Sequence, residues 1–200
     1  MPVEQRKLVA FLPVTVTGLG ADIEGPVGDW FTLDLEVQAY VLQQFDGAAV
    51  IVFGRDSFSA TTPWWDALAA GVGSDSALSR SFRPVLRSAR RVVVTDSSVE
   101  APGTASGISE RSRAEIAQLL AEPGQDILVL CGPALLSTLL GLGVVHELRL
   151  VLCPMIVAAG GGDSFSLGSE KGLALLETRT FSNGAVGVRY GVQGPDGVQG

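Results

Sequence analysis

The sequence predicts an α/β fold: a mixed, mostly parallel central sheet flanked by helices, with an antiparallel hairpin at its C-terminal end. Apolar runs rich in β-branched residues, at Lys7–Val14, Ala48–Phe53, Arg91–Thr95, Asp126–Cys131 and Glu147–Cys153, are separated by segments of helical period. Strands alternating with helices imply crossover connections, parallel pairing and a sheet covered on both faces. Beyond Cys153 the pattern changes. Leu173–Phe181 and Ala185–Val192 flank Ser182-Asn183-Gly184, and Asn-Gly between two such runs is the strongest short-range hairpin signal.

In chain order, the first helix spans Leu33–Phe45 and puts Leu33, Val37, Tyr40, Val41 and Phe45 on one face. Ser112 is the expected N-cap of a helix Arg113–Ala121, which Pro123-Gly124 ends. Ile127 to Val145 is an uncharged run of about the length a bilayer requires. Gly132-Pro133 divides it, because proline suits the first turn of a helix and not a strand interior. A strand ending at Cys131 and a separate helix Leu135–Leu142, closing near Gly141 and Gly143, follow from that break. Ala69–Ser81 and Ala101–Ser109 are small and polar and read as surface loops. The expected organisation is a single domain over residues 1–193 with a frayed tail at 194–200.

Composition narrows the function classes. The 200 residues are 46% hydrophobic and 18% charged, which excludes wholesale disorder and a coiled coil. A formal charge of −7 opposes binding to nucleic acid through counterion release. The single histidine, His146, leaves no material for an HExxH zinc site or a His-rich cluster, so no metal is expected. Cys131 and Cys153 stand in apolar runs and read as reduced core residues, which points to the cytoplasm. The basic start followed by LVAFLPVTVTGLGA imitates a signal peptide, but Glu4, Pro13 and the β-branched run fit a buried strand better; no membrane partner is expected.

Ligands of parallel sheets bind beyond the carboxyl ends of the strands. After the first strand comes Thr15-Val-Thr-Gly-Leu-Gly, a loop able to close over a substrate. After the second comes Gly54-Arg55-Asp56-Ser57, where Arg55 and a following helix N-terminus would hold a phosphate; an ordinary turn with a solvated arginine accounts for the same residues. Thr95-Asp96-Ser97-Ser98 offers hydroxyls and a carboxylate to a ribose, or makes an Asx turn. Cys131-Gly132-Pro133-Ala134 offers backbone amides to a pyrophosphate, although Pro133 withholds one donor.

In this order the segments resemble the dihydrofolate reductase fold, specifically the riboflavin-biosynthesis reductase C-terminal domain and its stand-alone bacterial relatives. KLVAFLPVTVTGLGA is similar to that family's first strand and Ser-Leu-Asp-Gly loop, VIVFGRDSF to its Gly-Arg-x-Thr turn, and RVVVTDSS to its strand ending in Ser-Arg. DILVLCGPALLSTLLGLGVVHELRLVLCPMIVAAGGGDSF is similar to its glycine turn, helix, Asp-Glu-Leu strand and Gly-Gly segment, and LETRTFSNGAVGVRYG to its final hairpin. The resemblance implies an NAD(P)H-dependent reductase, passing a hydride to a C=N or C=C bond of a pterin-, pyrimidine- or imine-like heterocycle. It also implies cofactor contacts from Gly54, Arg55 and Ser57, from Thr95, Asp96 and Ser97, and from Gly132, Pro133, Ala134 and Leu135. Thr17, Trp30, Trp64, Gly160 and Gly161 would line the substrate pocket, and relatives pair as homodimers at the C-terminal edge.

Departures from the family pattern carry their own expectations. Thr17 stands where relatives have Asp in the first loop, and Asp96 where NADPH users have Arg. A carboxylate there repels a 2′-phosphate and suits a free 2′-hydroxyl, so NADH is expected over NADPH. Asp34, four residues after Trp30, is the candidate proton donor; the competing role is to favour the dipole of the helix it begins. His146 is expected to be structural. The rival function is a protein of the same fold that has lost hydride transfer, acting as a small-molecule binder or a cofactor-independent enzyme.

Overall fold

The computed structural model describes residues 6–18, 34–46, 48–70, 80, 83–84, 87–94, 110–156 and 170–193. Strand β1 (Leu8–Thr15) is buried along almost its whole length, and its alternation feeds two cores: Leu8, Ala10, Leu12 and Val14 enter one apolar cluster, Val9 and Phe11 the other. Strands β2 (Val50–Gly54), β3 (Arg90–Val94), β4 (Ile127–Leu130) and β5 (Glu147–Cys153) join it in parallel. Strands β6 (Leu173–Thr180) and β7 (Val186–Val192) complete one edge in antiparallel fashion. The order across the sheet is β3-β2-β4-β1-β5-β7-β6. This is the mixed sheet and C-terminal hairpin of a dihydrofolate reductase-like fold.

That order fixes where the helices lie. The chain first moves outward from β1 to β2 and β3, then returns through β4 to β5, and right-handed crossovers put the two journeys on opposite faces. Helix α1 (Leu35–Phe45) buries Val37, Tyr40, Val41 and Phe45 in one cluster, joined by Phe58 of α2 (Arg55–Ala70). Helix α3 (Glu110–Ala121) buries Ile116 and Leu119 in the other, beside Leu136, Leu139 and Leu140 of α4 (Pro133–Gly141).

Several boundaries differ from expectation for local reasons. Asp34 occupies the N-cap, so α1 starts at Leu35; Leu33 lies outside the described residues. Helix α2 runs through Pro63 to Ala70 and takes up the start of the expected 69–81 loop. Helix α3 starts at Glu110, which places Ser112 inside its first turn and not at the cap. Pro133 stands at the first turn of α4, two residues earlier than the expected start. That helix ends in a Schellman arrangement: Gly143, at φ +70°, donates to Leu140, and Val144 donates to Leu139. The hairpin has the expected three-residue loop, Ser182-Asn183-Gly184, between Phe181 and Ala185. Gly184 donates to the Phe181 carbonyl and alone takes a left-handed φ of +87°, while Phe181 donates to Ala185. The 101–109 loop and the 194–200 tail lie outside the described residues.

Two polar side chains, Arg6 buried and His146 half-buried, close the N-terminal edge of the sheet. Arg6, 6% exposed, donates to the carbonyls of Gln125 and Leu119, supplying a cation to the end of α3, whose own last turn has none. His146 ties β1 to β5: its Nδ1 accepts from the Leu8 amide at 3.1 Å, while its own amide donates to the Leu8 carbonyl. A neutral ring is required for the first bond. Burial, reinforced by Lys7, lowers its pKa below the ordinary 6.5. The unfolded chain therefore binds more protons than the fold in this range. The contribution of His146 to stability is full above about pH 6.5 and declines as pH falls from there toward the lowered native value. Melting curves of wild type and His146→Asn between pH 5 and 7.5 check this; equal pH slopes would refute it.

Candidate functional site at the carboxyl ends of the parallel strands

Phe53 of β2 pairs with Leu130 of β4, and Leu130 with Phe11 of β1, so the residues that follow these strands emerge side by side. Helices α1 and α2 pack on one face and α4 on the other, so their starts flank the strand tips, where ligands of parallel sheets bind. Arg55 is exposed and is the first residue of α2; Ser57 lies in the same turn, half-buried. Across from it, Gly132 is the N-cap of α4 with no side-chain capping bond, and a Cβ placed on it would meet nothing within 4 Å. The amides of Ala134 and Leu135 thus begin the helix without a side-chain cap, while Pro133 has no N–H to give.

Gly54 has a different reason to be glycine. A Cβ there would lie 3.2 Å from Leu135 Cδ2 and 3.7 Å from Cys131 Cβ. The space expected for a ligand beside Gly54 is filled by Leu135, which locks the start of α4 against the end of β2. Leu135 contributes to the candidate site through its backbone, and its side chain belongs to the packing.

At the end of β1, the Thr15 and Thr17 hydroxyls are 2.9 Å apart, with Thr15 fully buried and Thr17 exposed. The Val16 amide donates to the Met155 carbonyl, and the Gly18 amide, at φ +76°, donates to Thr15. These bonds hold the turn after β1 against the end of β5. Asp34 heads α1 on the neighbouring face, its Oδ1 accepting from the Val37 amide at 2.9 Å. Its capping role, the competing expectation, is therefore seen directly.

The remaining expected residues divide in two. Trp64 lies in α2, nine residues after Arg55. Thr95, Asp96, Ser97, Trp30, Gly160 and Gly161 lie outside the described residues. Cys131 and Cys153 are buried, and burial pushes their thiols up to about 12 and about 11. They are thiols, not thiolate nucleophiles, at neutral pH.

Sequence reasoning missed a polar ladder on the α1 face of β5. Glu147, 5% exposed, accepts from Arg149 at 2.6 Å and from Arg189 at 2.8 Å. Arg189 also meets Glu177 at 2.7 Å, and Arg149 reaches Gln44 of α1 at 3.2 Å. Glu and Arg two apart in an otherwise apolar strand was the available signal, since that spacing puts both on one face. Among the described residues no helix is long and apolar enough to cross a membrane.

The comparisons with known proteins agree with this architecture. The uncharacterized protein YyaP of Bacillus subtilis (strain 168) is 28% identical over 190 residues, covering 94% of this chain and 95% of that one. A putative riboflavin biosynthesis protein from Shewanella sp. PV-4 superposes with a TM-score of 0.61 at 15% identity, covering 94% of this chain and 99% of the other. A pyrimidine reductase-like protein from Corynebacterium diphtheriae gives 0.57 at 16%, covering 94% and 92%. The diaminohydroxyphosphoribosylaminopyrimidine deaminase/5-amino-6-(5-phosphoribosylamino)uracil reductase of Thermotoga maritima gives 0.59 at 17%, with 94% of this chain aligned to 57% of that protein. The family model of the RibD C-terminal domain matches residues 19–186, and the chain belongs to that family.

Proposed function

We propose that the protein is a reductase that transfers a hydride from a reduced nicotinamide dinucleotide to a C=N or C=C bond of a heterocycle, with a pyrimidine-, pterin- or imine-like ring as substrate. The observation that supports this reading is the register of β2 on β4, which ends the two strands side by side, just before Arg55 and the uncapped start of α4, in a chain of the RibD C-terminal family. The residues present suit a dinucleotide. Arg55 and Ser57 would meet its phosphates, and the amides of Ala134 and Leu135, with open space beside Gly132, its pyrophosphate. Gly54 and Pro133 set the backbone of the two turns, and Thr95, Asp96 and Ser97 would take the adenosine ribose. When bound, the dinucleotide supplies the hydride; the protein positions the two rings and excludes water. Thr17, Trp30, Trp64, Gly160 and Gly161 are the substrate-side residues of this reading.

Asp96 in place of an arginine makes NADH the preferred coenzyme. Titration with NADH and NADPH, followed by quenching of the three tryptophans, tests both parts. Saturable binding with NADH tighter is the expected result. Tighter NADPH binding overturns the preference, and silence with both dinucleotides overturns the reductase in favour of a binding protein or cofactor-independent enzyme. That second reading draws on Thr17 and Asp34, whose polar atoms are already engaged by Thr15 and Val37.

Asp34 is the proposed proton donor, and its cap allows a clean separation of roles. Asparagine caps a helix about as well as aspartate, whereas alanine costs about 1 kcal/mol. Asp34→Asn should keep the melting temperature and lower turnover by about 100-fold or more if the carboxyl donates a proton. Asp34→Ala should lose both. Full activity of Asp34→Asn would reduce Asp34 to a cap. The reading extends to a cytoplasmic homodimer joined along β6, where Leu173, Leu175 and Leu176 are exposed.

A further inference from the structure

At the amino-terminal edge of the sheet, opposite the carboxyl ends of the parallel strands, the start of β1, the α4–β5 turn and the chain entering and leaving the hairpin enclose a cavity of about 440 Å³. This volume lies within the range of small-molecule pockets. Its lining divides by chemistry. Val145, Val192 and Leu176 give an apolar flank, while Lys7, Lys171 and His146 give the polar one. Neither lysine has a carboxylate within ion-pair distance among the described residues. Glu147, which also borders the cavity, is committed to Arg149 and Arg189, and Asp126 Oδ1 accepts from the Lys7 backbone amide. Two lysines in the lining of a partly apolar cavity, in a chain of formal charge −7, are a local reversal of sign.

We propose that this cavity is a second ligand site, for a small organic anion whose charge is held by Lys7 and Lys171 and whose apolar body lies against Val145, Val192 and Leu176. It is separate from the strand tips and does not depend on hydride transfer there. Coulomb attraction to the two ammonium groups and burial of the apolar body favour binding, and together they must exceed the cost of desolvating the charges. The charged groups that act on His146 are Lys7 and Asp126, with Lys171 elsewhere in the lining and Glu147 next in the strand. An anion beside Lys7 offsets its repulsion of an imidazolium. Binding should therefore raise the proton affinity of His146.

His146 is the chain's one histidine, so its imidazole resonances report on this site without assignment. Benzoate, added to the full-length protein at constant ionic strength, should move those resonances saturably and shift their titration midpoint upward by roughly half a pH unit. Lys7→Gln combined with Lys171→Gln should weaken the saturable response at least about tenfold, consistent with loss of two charge-assisted contacts. Both positions lie at the surface, and an unchanged melting curve confirms that the variant is folded. Benzoate that moves the resonances linearly without saturation, or equally in the double variant, overturns the proposal. Leu176→Ser provides a second measurement: weaker benzoate binding with an unchanged response to inorganic phosphate is expected, and identical benzoate binding refutes the apolar flank.

Discussion

Replacing Glu147 with alanine should destabilise the protein by about 3 kcal/mol, the lower end of what breaking a buried ion pair costs, because Arg189 keeps partial contact with solvent. Glu147 lies almost wholly inside the protein, and burial alone would push its pKa up. The hydrogen bonds from Arg189 and Arg149 outweigh burial and hold the carboxyl below its ordinary value. The same pairing raises the pKa of Arg189. Arg149 and Arg189 are directly opposite each other on β5 and β7, so without Glu147 two guanidinium groups face one another across the ladder. Glu147→Gln, which keeps the shape and loses the charge, should cost less than alanine. Glu177→Gln removes only the exposed end of the network and should cost under about 1 kcal/mol. Urea midpoints measure all three, and a loss below about 1 kcal/mol for Glu147→Ala would refute this account. Because the native pKa is depressed, the stabilisation is complete above the unfolded value and is lost as pH falls through the folded one.

Gly187→Ala is the second large expected loss, about 2 kcal/mol, or a fall in melting temperature of roughly 4–8 °C for a chain of this length. A Cβ on Gly187 would lie 2.8 Å from Tyr40 Cζ, 2.9 Å from Cε1 and 3.0 Å from the hydroxyl. The ring has little room to withdraw. It is 4% exposed, packs edge-on to Phe181 at 5.2 Å between centroids, and carries the Arg179 guanidinium at 5.6 Å. The glycine in β7 is thus the socket for a tyrosine of α1. Tyr40→Leu in the Gly187→Ala background should recover part of the loss, since the clash is pairwise. Strict additivity of the two substitutions would show that the contact does not set the cost. The α1 helix also presents Asp34, so this variant should loosen the candidate site from a distance.

The parts of this architecture written in local chemistry were legible in the sequence. β-branched runs located β1, β2, β4 and β5 closely, and Pro133 divided the run from Ile127 to Val145 into a strand and a helix as expected. The parts that depend on residues far apart were not. No local pattern reveals that Gly187 receives Tyr40, that Gly54 receives Leu135, or that Arg6 finishes α3. The length of α2 was hidden by Pro63, which a helix tolerates when tertiary packing compensates for the lost bond. At the site, sequence order identified the turns at Arg55 and Gly132, and the register of β2 on β4 then made them neighbours.

The position of β1 in the middle of the sheet has a consequence for synthesis. Leu8 pairs with Ile127, and Val9 with Glu147, so β1 leaves the ribosome well before the strands that satisfy either of its edges. Until then an apolar ribbon with two open edges is exposed, which is the condition that favours slow acquisition of structure and capture by chaperones. Nascent chains halted before residue 127 should leave β1 open to protease, and those that include residue 153 should protect it.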